Sequence, residues 1–544
     1  MRADGICKRG LTAGIDVGGT NTDGVLYEPR ERRVEGWVKI ATDHSDYGGC
    51  VERALEALVS GGAAGDIISL NISTTLSTNA LLEGAGAPVN LVLIGFEDFP
   101  HIKKEILNAV SPAALLEARG GHNGRGIARA PLDEEALRSF AARHAGEYFA
   151  LSSLYSPRNP EHELRAAELI REAGCAGLTC GHELARSKLN SVRRSVTAFL
   201  NSSLMPLTRR LISGVEASAA RIGLECPLMF LRSDSSLVCA DWCLRFPIET
   251  IFSGPAASMR GAMIIGGIQG GDALVADMGG TSTDIGLIRN GGALYSREGA
   301  EIGGYRTMIP SLEISSIALG GDSRVDAGED GSLSVGLERV LPLCRGGLSY
   351  TPSDALCALG LLAAEEREKS LAASDAFGRR LGLTAEGFAK LVRAKTSARL
   401  LDAISAAGGG GLKKICVGAP TAAFVPEGAE DWLIPEAAAI ASAVGAASAS
   451  LSLSCSVSIV HNFFDESFSA FLPSRMIKGK DFEAIRAEAA AALDEHLRRQ
   501  SRMMGFDGAE TETEEEYEYF GDGKGLSSLA ALTLNGRAVV RNAQ

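Results

Sequence analysis

Apolar positions along this chain fall into short unbroken runs that alternate with longer amphipathic stretches. The opening segment Leu11 to Tyr27 reads as an apolar run, a glycine turn at Gly18-Gly19 and a second apolar run, which predicts two strands joined in a hairpin. Tyr47 to Ser60 carries an apolar stripe at helical spacing. Ile67–Ile72 and Val89–Ile94 are short, mainly apolar runs that read as buried strands, with a helix starting between them. The alternation continues as helix (Asp133–Ala145), strand (Tyr148–Leu154), helix (Pro160–Ala173) and strand (Ala176–Thr179). This pattern implies an α/β domain with a mixed sheet. Ser187 to Gly223 keeps a period near 3.6 residues and predicts one long helix bridging two halves of the molecule. Further on come a short strand at Pro227–Leu231, a helix at Ala398–Ala407, a strand and glycine turn at Lys413–Pro420, and a small-residue helix from Glu436 to Ala447. A strong helix then spans Asp481–Arg502, and the acidic run Glu510–Glu518 reads as solvated surface leading into an edge strand.

The opening pattern returns in the middle of the chain. Residues 16–26 read DVGGTNTDGVL and residues 277–287 read DMGGTSTDIGL, with seven of eleven positions identical. Each copy follows an apolar run. Matching Thr and Asp positions, and not only the glycines, point to an internal duplication, hence to two similar α/β lobes facing each other.

Composition narrows the class of partner. A chain of 544 residues is long for a single core and predicts several domains. The formal net charge of -13 is diffuse and argues against nucleic acid or an anionic membrane. The 11 cysteines contain no CxxC pair, and Cys239 and Cys243 lack a second ligand pair with zinc spacing. Reduced thiols in a cytoplasmic protein are expected. Met1 to Gly10 has no apolar core and does not read as a signal peptide. Ile434–Val460 is poor in charge but rich in Ala, Ser and Gly, which fits a buried helix and strand better than a membrane span.

The paired hairpins carry the candidate chemistry. Gly18, Gly19, Gly279 and Gly280 let backbone N–H groups approach phosphate oxygens, and the hydroxyls of Thr20, Thr22, Thr281 and Thr283 could add donors or merely stabilise the turns. Asp16 and Asp277 would repel phosphate directly, so they are better placed to hold Mg²⁺ through water. Asp23 and Asp284 read as orienting groups. Two such hairpins across a cleft would clamp a triphosphate from both sides, and neither matches the P-loop or dinucleotide fingerprints.

This arrangement resembles the sugar kinase/actin/Hsp70 superfamily, in which Gly418 and Ala419 of the Val417–Pro420 turn would match the adenosine-contacting element. More closely, residues 11–460 resemble the hydantoinase A/oxoprolinase family. The similar motifs are Gly14–Thr20 with Thr22-Asp23, Ser73–Thr75 through Thr78–Glu83, Asn159–Glu163, Ser253–Ala257 and Asp277–Asp284. The stretches 317–326 and 341–355 depart from the family pattern. The resemblance implies two duplicated actin-like lobes around an ATP cleft with a small C-terminal α+β segment. The division expected is 1–190, 191–460 and 461–544. It also implies ATP and Mg²⁺ as cofactors and activation of a cyclic amide, such as a hydantoin or 5-oxoproline, by phosphorylation of its carbonyl oxygen. Catalytic roles would fall to Asp16 and Asp277, and substrate contacts to Thr75, Asn79 and His122, although helix capping alone also explains Thr75 and Asn79 and a lone loop histidine is more often just solvated. The alternatives are a small-molecule kinase, an ATP-driven activating protein and a ketone carboxylase subunit. A separately folded B-type hydantoinase subunit is the expected partner, and an oligomer the expected state.

Overall fold

A computed structural model describes residues 10–43, 45–184, 189–296, 298–327, 332–364, 366–462, 465–472, 476–503, 509–521 and 527–539. The stretch Met1 to Gly10, read above as lacking a signal peptide, lies almost wholly outside the described residues.

Two mixed sheets repeat one plan. In the first, Leu11–Val17 pairs antiparallel with Asn21–Glu28 and parallel with Ile67–Thr74. In the second, Ala273–Met278 pairs antiparallel with Thr283–Arg289 and parallel with Lys413–Val417. Register repeats as well: Asp16 lies opposite Asp23 in one hairpin, and Asp277 opposite Asp284 in the other. The duplication is therefore one of structure as well as of sequence.

Two helices lie between the sheets, Ser253–Ile265 and Ala441–Ser448. Their sequences are rich in Ala, Gly and Ser because the backbones nearly touch. A Cβ added at Gly261 would fall on the carbonyl of Ala441, and one at Gly445 on that of Ala257. One helix packs Ala443, Val444 and Ala447 on Val25 and Tyr27 of the first sheet. The other packs Ala256, Met259 and Ala262 on Ala273 and Val275 of the second. On the outer face of the second sheet, Phe388, Val392, Leu400 and Ile404 of the helix Ala385–Ala406 cover Leu274 and Ala276.

The pairing differs from the sequence reading in one respect. Val89–Ile94 does not join the first sheet. With Ala114–Ala118, Tyr148–Ser153 and Gly177–Cys180 it forms a separate four-stranded parallel sheet. The first sheet is instead completed by Leu228–Leu231 and Leu237–Cys239, from beyond the long helix Ser191–Ile222. Apolar runs identify strands but not their partners, because parallel pairing is decided by which crossover helices can pack. The C-terminal residues form a five-stranded antiparallel sheet carrying the helix Phe482–Met503. Leu493, Leu497 and Leu532 belong to one continuous core with Ile72 and Leu70 of the first lobe. The acidic run 510–518 lies in the edge strand Glu510–Gly521 of this sheet.

Candidate active site

Each hairpin closes with the same bond: Gly18 N–H donates to Asn21 O at 3.1 Å, and Gly279 N–H to Ser282 O at 2.9 Å. The tips beyond these bonds, Gly19-Thr20 and Gly280-Thr281, offer amides that take no backbone acceptor among the described residues. They face each other: a Cβ on Gly280 would lie 3.6 Å from Thr20 Oγ1. Between and around them opens a cleft of about 1110 Å³. Unpaired amides converging on one space are an anion site in the making.

Carboxylates crowd the same cleft. Asp23, Asp277 and Asp284 line it. Asp16 sits just behind, 9% exposed and hydrogen-bonded to the Ser73 hydroxyl of the neighbouring strand. Burial drives the Asp16 carboxyl up to about 7, with the charges of Asp23 and Asp277 adding to the effect against the Ser73 bond. Burial likewise raises Asp284 to about 7, reinforced by Asp277. Asp277 accepts from Ser258 and is raised, chiefly by burial. Lys39 binds both oxygens of Asp23, at 2.6 and 2.7 Å. Four carboxyl groups share this neighbourhood, and two of them, Asp16 and Asp284, keep their protons up to about pH 7. Their chemistry asks for a further positive charge, such as a divalent cation.

The remaining candidates divide cleanly. Gly418, with φ at +83°, and Ala419 line the cleft. A side chain at Gly418 would collide with Asp277 Oδ1. Thr75 and Asn79 line it from the start of the helix Leu76–Leu82. Thr22 and Thr283 do not. Both are fully buried: Thr22 Oγ1 bonds Thr42 Oγ1 at 2.9 Å, and Thr283 Oγ1 donates to Leu319 O at 2.6 Å. They lie one residue from the cleft-facing aspartates, and strand alternation turns them inward. Gly18 acts through its backbone in the turn. His122 is also outside the cleft. It is fully buried in the parallel-sheet unit, its ring 4.4 Å from that of His162. The Gly120-Gly121 backbone, both at positive φ, folds that loop inward instead of leaving it in solvent.

Sequence reasoning missed several cleft residues. Lys39 faces Asp23 across the strand pair, a placement visible only once the register of Arg33–Ala41 is known. Asp322 and Arg345 form an ion pair at 3.5 Å, and Arg339 donates to Thr20 Oγ1 at 3.2 Å. Gly321 and Asp322 donate their amides to the carbonyls of Gly279 and Gly280, at 3.0 and 2.8 Å. The segment that departs from the family motif thus clamps the second hairpin.

Comparison with known proteins agrees with this architecture. The sequence models for the hydantoinase/oxoprolinase N-terminal region and for hydantoinase/oxoprolinase match residues 12–174 and 194–390. The chain belongs to the hydantoinase/oxoprolinase family. Among family relatives, the caprolactamase subunit alpha of Pseudomonas jessenii is 30% identical over 388 residues, covering 65% of this chain and 55% of that protein. This chain therefore spans about half the length of the curated relatives it matches. In fold it resembles the ATP-dependent caprolactamase from Pseudomonas jessenii, at 21% identity and a TM-score of 0.74, over 98% of this chain and 88% of that one. Nucleotide-free acetone carboxylase matches at 17% identity with the same TM-score and the same coverage. No helix among the described residues is long and apolar enough to cross a membrane.

Proposed function

We propose that this family member is the ATP-using part of an enzyme that opens a cyclic amide. The observation that carries the reading is the pair of tip-to-tip hairpins with unpartnered amides. A triphosphate would lie between Gly19-Thr20 on one side and Gly280-Thr281 on the other, with the adenosine end toward Gly418-Ala419. Magnesium takes one or two carboxylates together with phosphate oxygens and water. Asp16 and Asp277 fit that demand without forming a closed cage of their own. The metal, when bound, offsets phosphate charge during transfer.

The chain's own residues then position and neutralise. Lys39 and the tip amides hold negative oxygens in place, and Thr75 and Asn79 orient the amide substrate against the nucleotide. An amide carbonyl resists attack by water because of resonance, and transfer of the γ-phosphoryl group to its oxygen removes that protection. Completion of ring opening falls to a partner subunit of the B type. The support is the name of the caprolactamase relative, a subunit alpha.

The test is to supply the isolated chain with Mg-ATP and candidate lactams, hydantoins and ketones, and to follow ADP and ring-opened product separately. Amide-dependent ADP release, with product appearing only when a B-type subunit is added, is expected. Product in proportion to ADP from the chain alone would remove the partner from the proposal. A stable phosphorylated product would make the protein a kinase, and no nucleotide binding at millimolar concentration would defeat the reading altogether.

A further inference from the structure

Among the described residues, four basic side chains line the hairpin cleft: Lys39, Arg306, Arg339 and Arg345. Three are matched by carboxylates, Lys39 with Asp23 at 2.6 Å, Arg306 with Glu301 at 3.2 Å and Arg345 with Asp322 at 3.5 Å. Arg339 is held differently, by a hydrogen bond to the Thr20 hydroxyl at 3.2 Å.

Both lobes fix the position of this side chain. Arg339 ends the strand Leu333–Arg339, opposite Ser323 of the strand Ser323–Ala327. The next amide, Val340 N–H, donates to Asp322 O at 3.0 Å, and Asp322 N–H donates to Gly280 O at 2.8 Å. Two successive backbone bonds thus tie Arg339 to the tip of the second hairpin. Its guanidinium crosses the gap to Thr20 on the tip of the first. The gap is narrow: a Cβ on Gly280 would lie 3.6 Å from Thr20 Oγ1. The buried Asp322 carboxyl beside it is engaged by Arg345 and by the Ser353 hydroxyl, at 3.5 and 3.2 Å. Arg339 is exposed, as a residue lining an open cleft is, but the tips hold its charge at one point.

We infer that Arg339 holds the terminal phosphoryl group of the triphosphate. This rests on the nucleotide reading of the cleft, in which the adenosine end lies toward Gly418-Ala419. That turn follows the strand Lys413–Val417 of the second sheet, whereas Thr20 belongs to the hairpin of the first. A triphosphate bridging the two tips therefore has its far end at Thr20 and Arg339. The tip amides supply donors without net charge, and Lys39 is taken up by both oxygens of Asp23. A guanidinium adds charge and a planar pair of N–H groups that matches two phosphoryl oxygens. During transfer the bond from phosphorus to the ADP oxygen breaks and one to the amide carbonyl oxygen forms. Arg339 keeps its protons throughout and offsets the charge on the phosphoryl oxygens.

Calorimetry on the whole chain with ADP and with a non-hydrolysable ATP analogue, each with Mg²⁺, tests the assignment. Arg339→Ala weakens the analogue about tenfold or more and leaves ADP within about twofold, as expected for one lost charge-assisted contact to the terminal phosphate. Arg339→Gln, which keeps a donor for Thr20 but no charge, gives the same loss. Arg324 lies one strand away, outside the cleft lining, and pairs with Asp326 and Glu338. Arg324→Ala removes an equal charge and changes neither affinity. Equal weakening of ADP and analogue in the Arg339 variants would make this residue a latch between the lobes and overturn the assignment. Unchanged affinity for both ligands would overturn it as well. No nucleotide binding by the unsubstituted protein would instead defeat the reading of the cleft, and this inference with it.

Discussion

At the scale of single residues, the cleft is defined by carboxyl groups held away from water. Asp16→Asn and Asp277→Asn each lower ATP turnover by about 10²-fold or more, because transfer depends on metal charge and placement. Circular dichroism should show both variants folded, since the change is nearly isosteric. Wild-type turnover would return these residues to a structural role. The pH dependence follows from the raised values. Asp16 moves from 3.8 to about 7, so the folded state holds its proton more tightly than the unfolded chain. Its contribution to stability is complete below about pH 4 and is lost as pH rises through about 7, a change on the order of 4 kcal/mol. Without a cation the melting temperature therefore falls over that window, and Asp16→Asn flattens the fall. Added Mg²⁺ with nucleotide restores stability at the upper end. A melting temperature independent of pH from 4 to 8 would contradict the buried, proton-holding carboxyl.

Elements translate these residues into geometry. Thr22 and Thr283 share the motif with the tip threonines, yet strand alternation gives them inward positions. Thr283→Val leaves the carbonyl of Leu319 without its donor, and a stability loss of about 1–2 kcal/mol with near-normal turnover is expected in urea unfolding and ADP assays. Gly418→Ala acts on the opposite quantity. The left-handed φ and the clash with Asp277 Oδ1 disturb the carboxyl that faces the cleft, so turnover falls more than stability. The helix pair shows the same logic on a larger element. Gly445→Ala drives a methyl group into the Ala257 carbonyl and forces apart the two helices that separate the sheets. It should cost several kcal/mol in unfolding, as overpacking of a rigid contact does, and show as a lower melting temperature.

Over the whole molecule, two lobes present equivalent hairpins across one cleft, and the other units brace them. The C-terminal sheet is not a separate appendage: Leu453, Leu493, Leu497 and Leu532 share a core with the first lobe. Ending the chain at residue 449 would bare that apolar face, so the truncated protein is expected to be insoluble or to bind a hydrophobic dye strongly. A soluble, cooperatively melting product would show that the lobes stand without it.

The sequence by itself determined the duplicated hairpins, the strands and helices around them, and the family. Repeated Gly, Thr and Asp at fixed spacing and apolar periodicity are local signals, and local signals survive in one dimension. Gly19, Thr20, Gly280 and Thr281 were legible in this way, and Gly418, Thr75 and Asn79 through the resemblance of their segments to known families. Only the tertiary structure decided that Thr22, Thr283 and His122 turn away from the cleft. It alone brought in Lys39, Asp322 and Arg339, assigned Val89–Ile94 to its own sheet, and joined the C-terminal unit to the first core. Those outcomes rest on strand register, on pairing between distant segments and on packing of helices with small residues. None of these leaves a mark on its neighbours in sequence, because the contacts that settle them span tens to hundreds of positions.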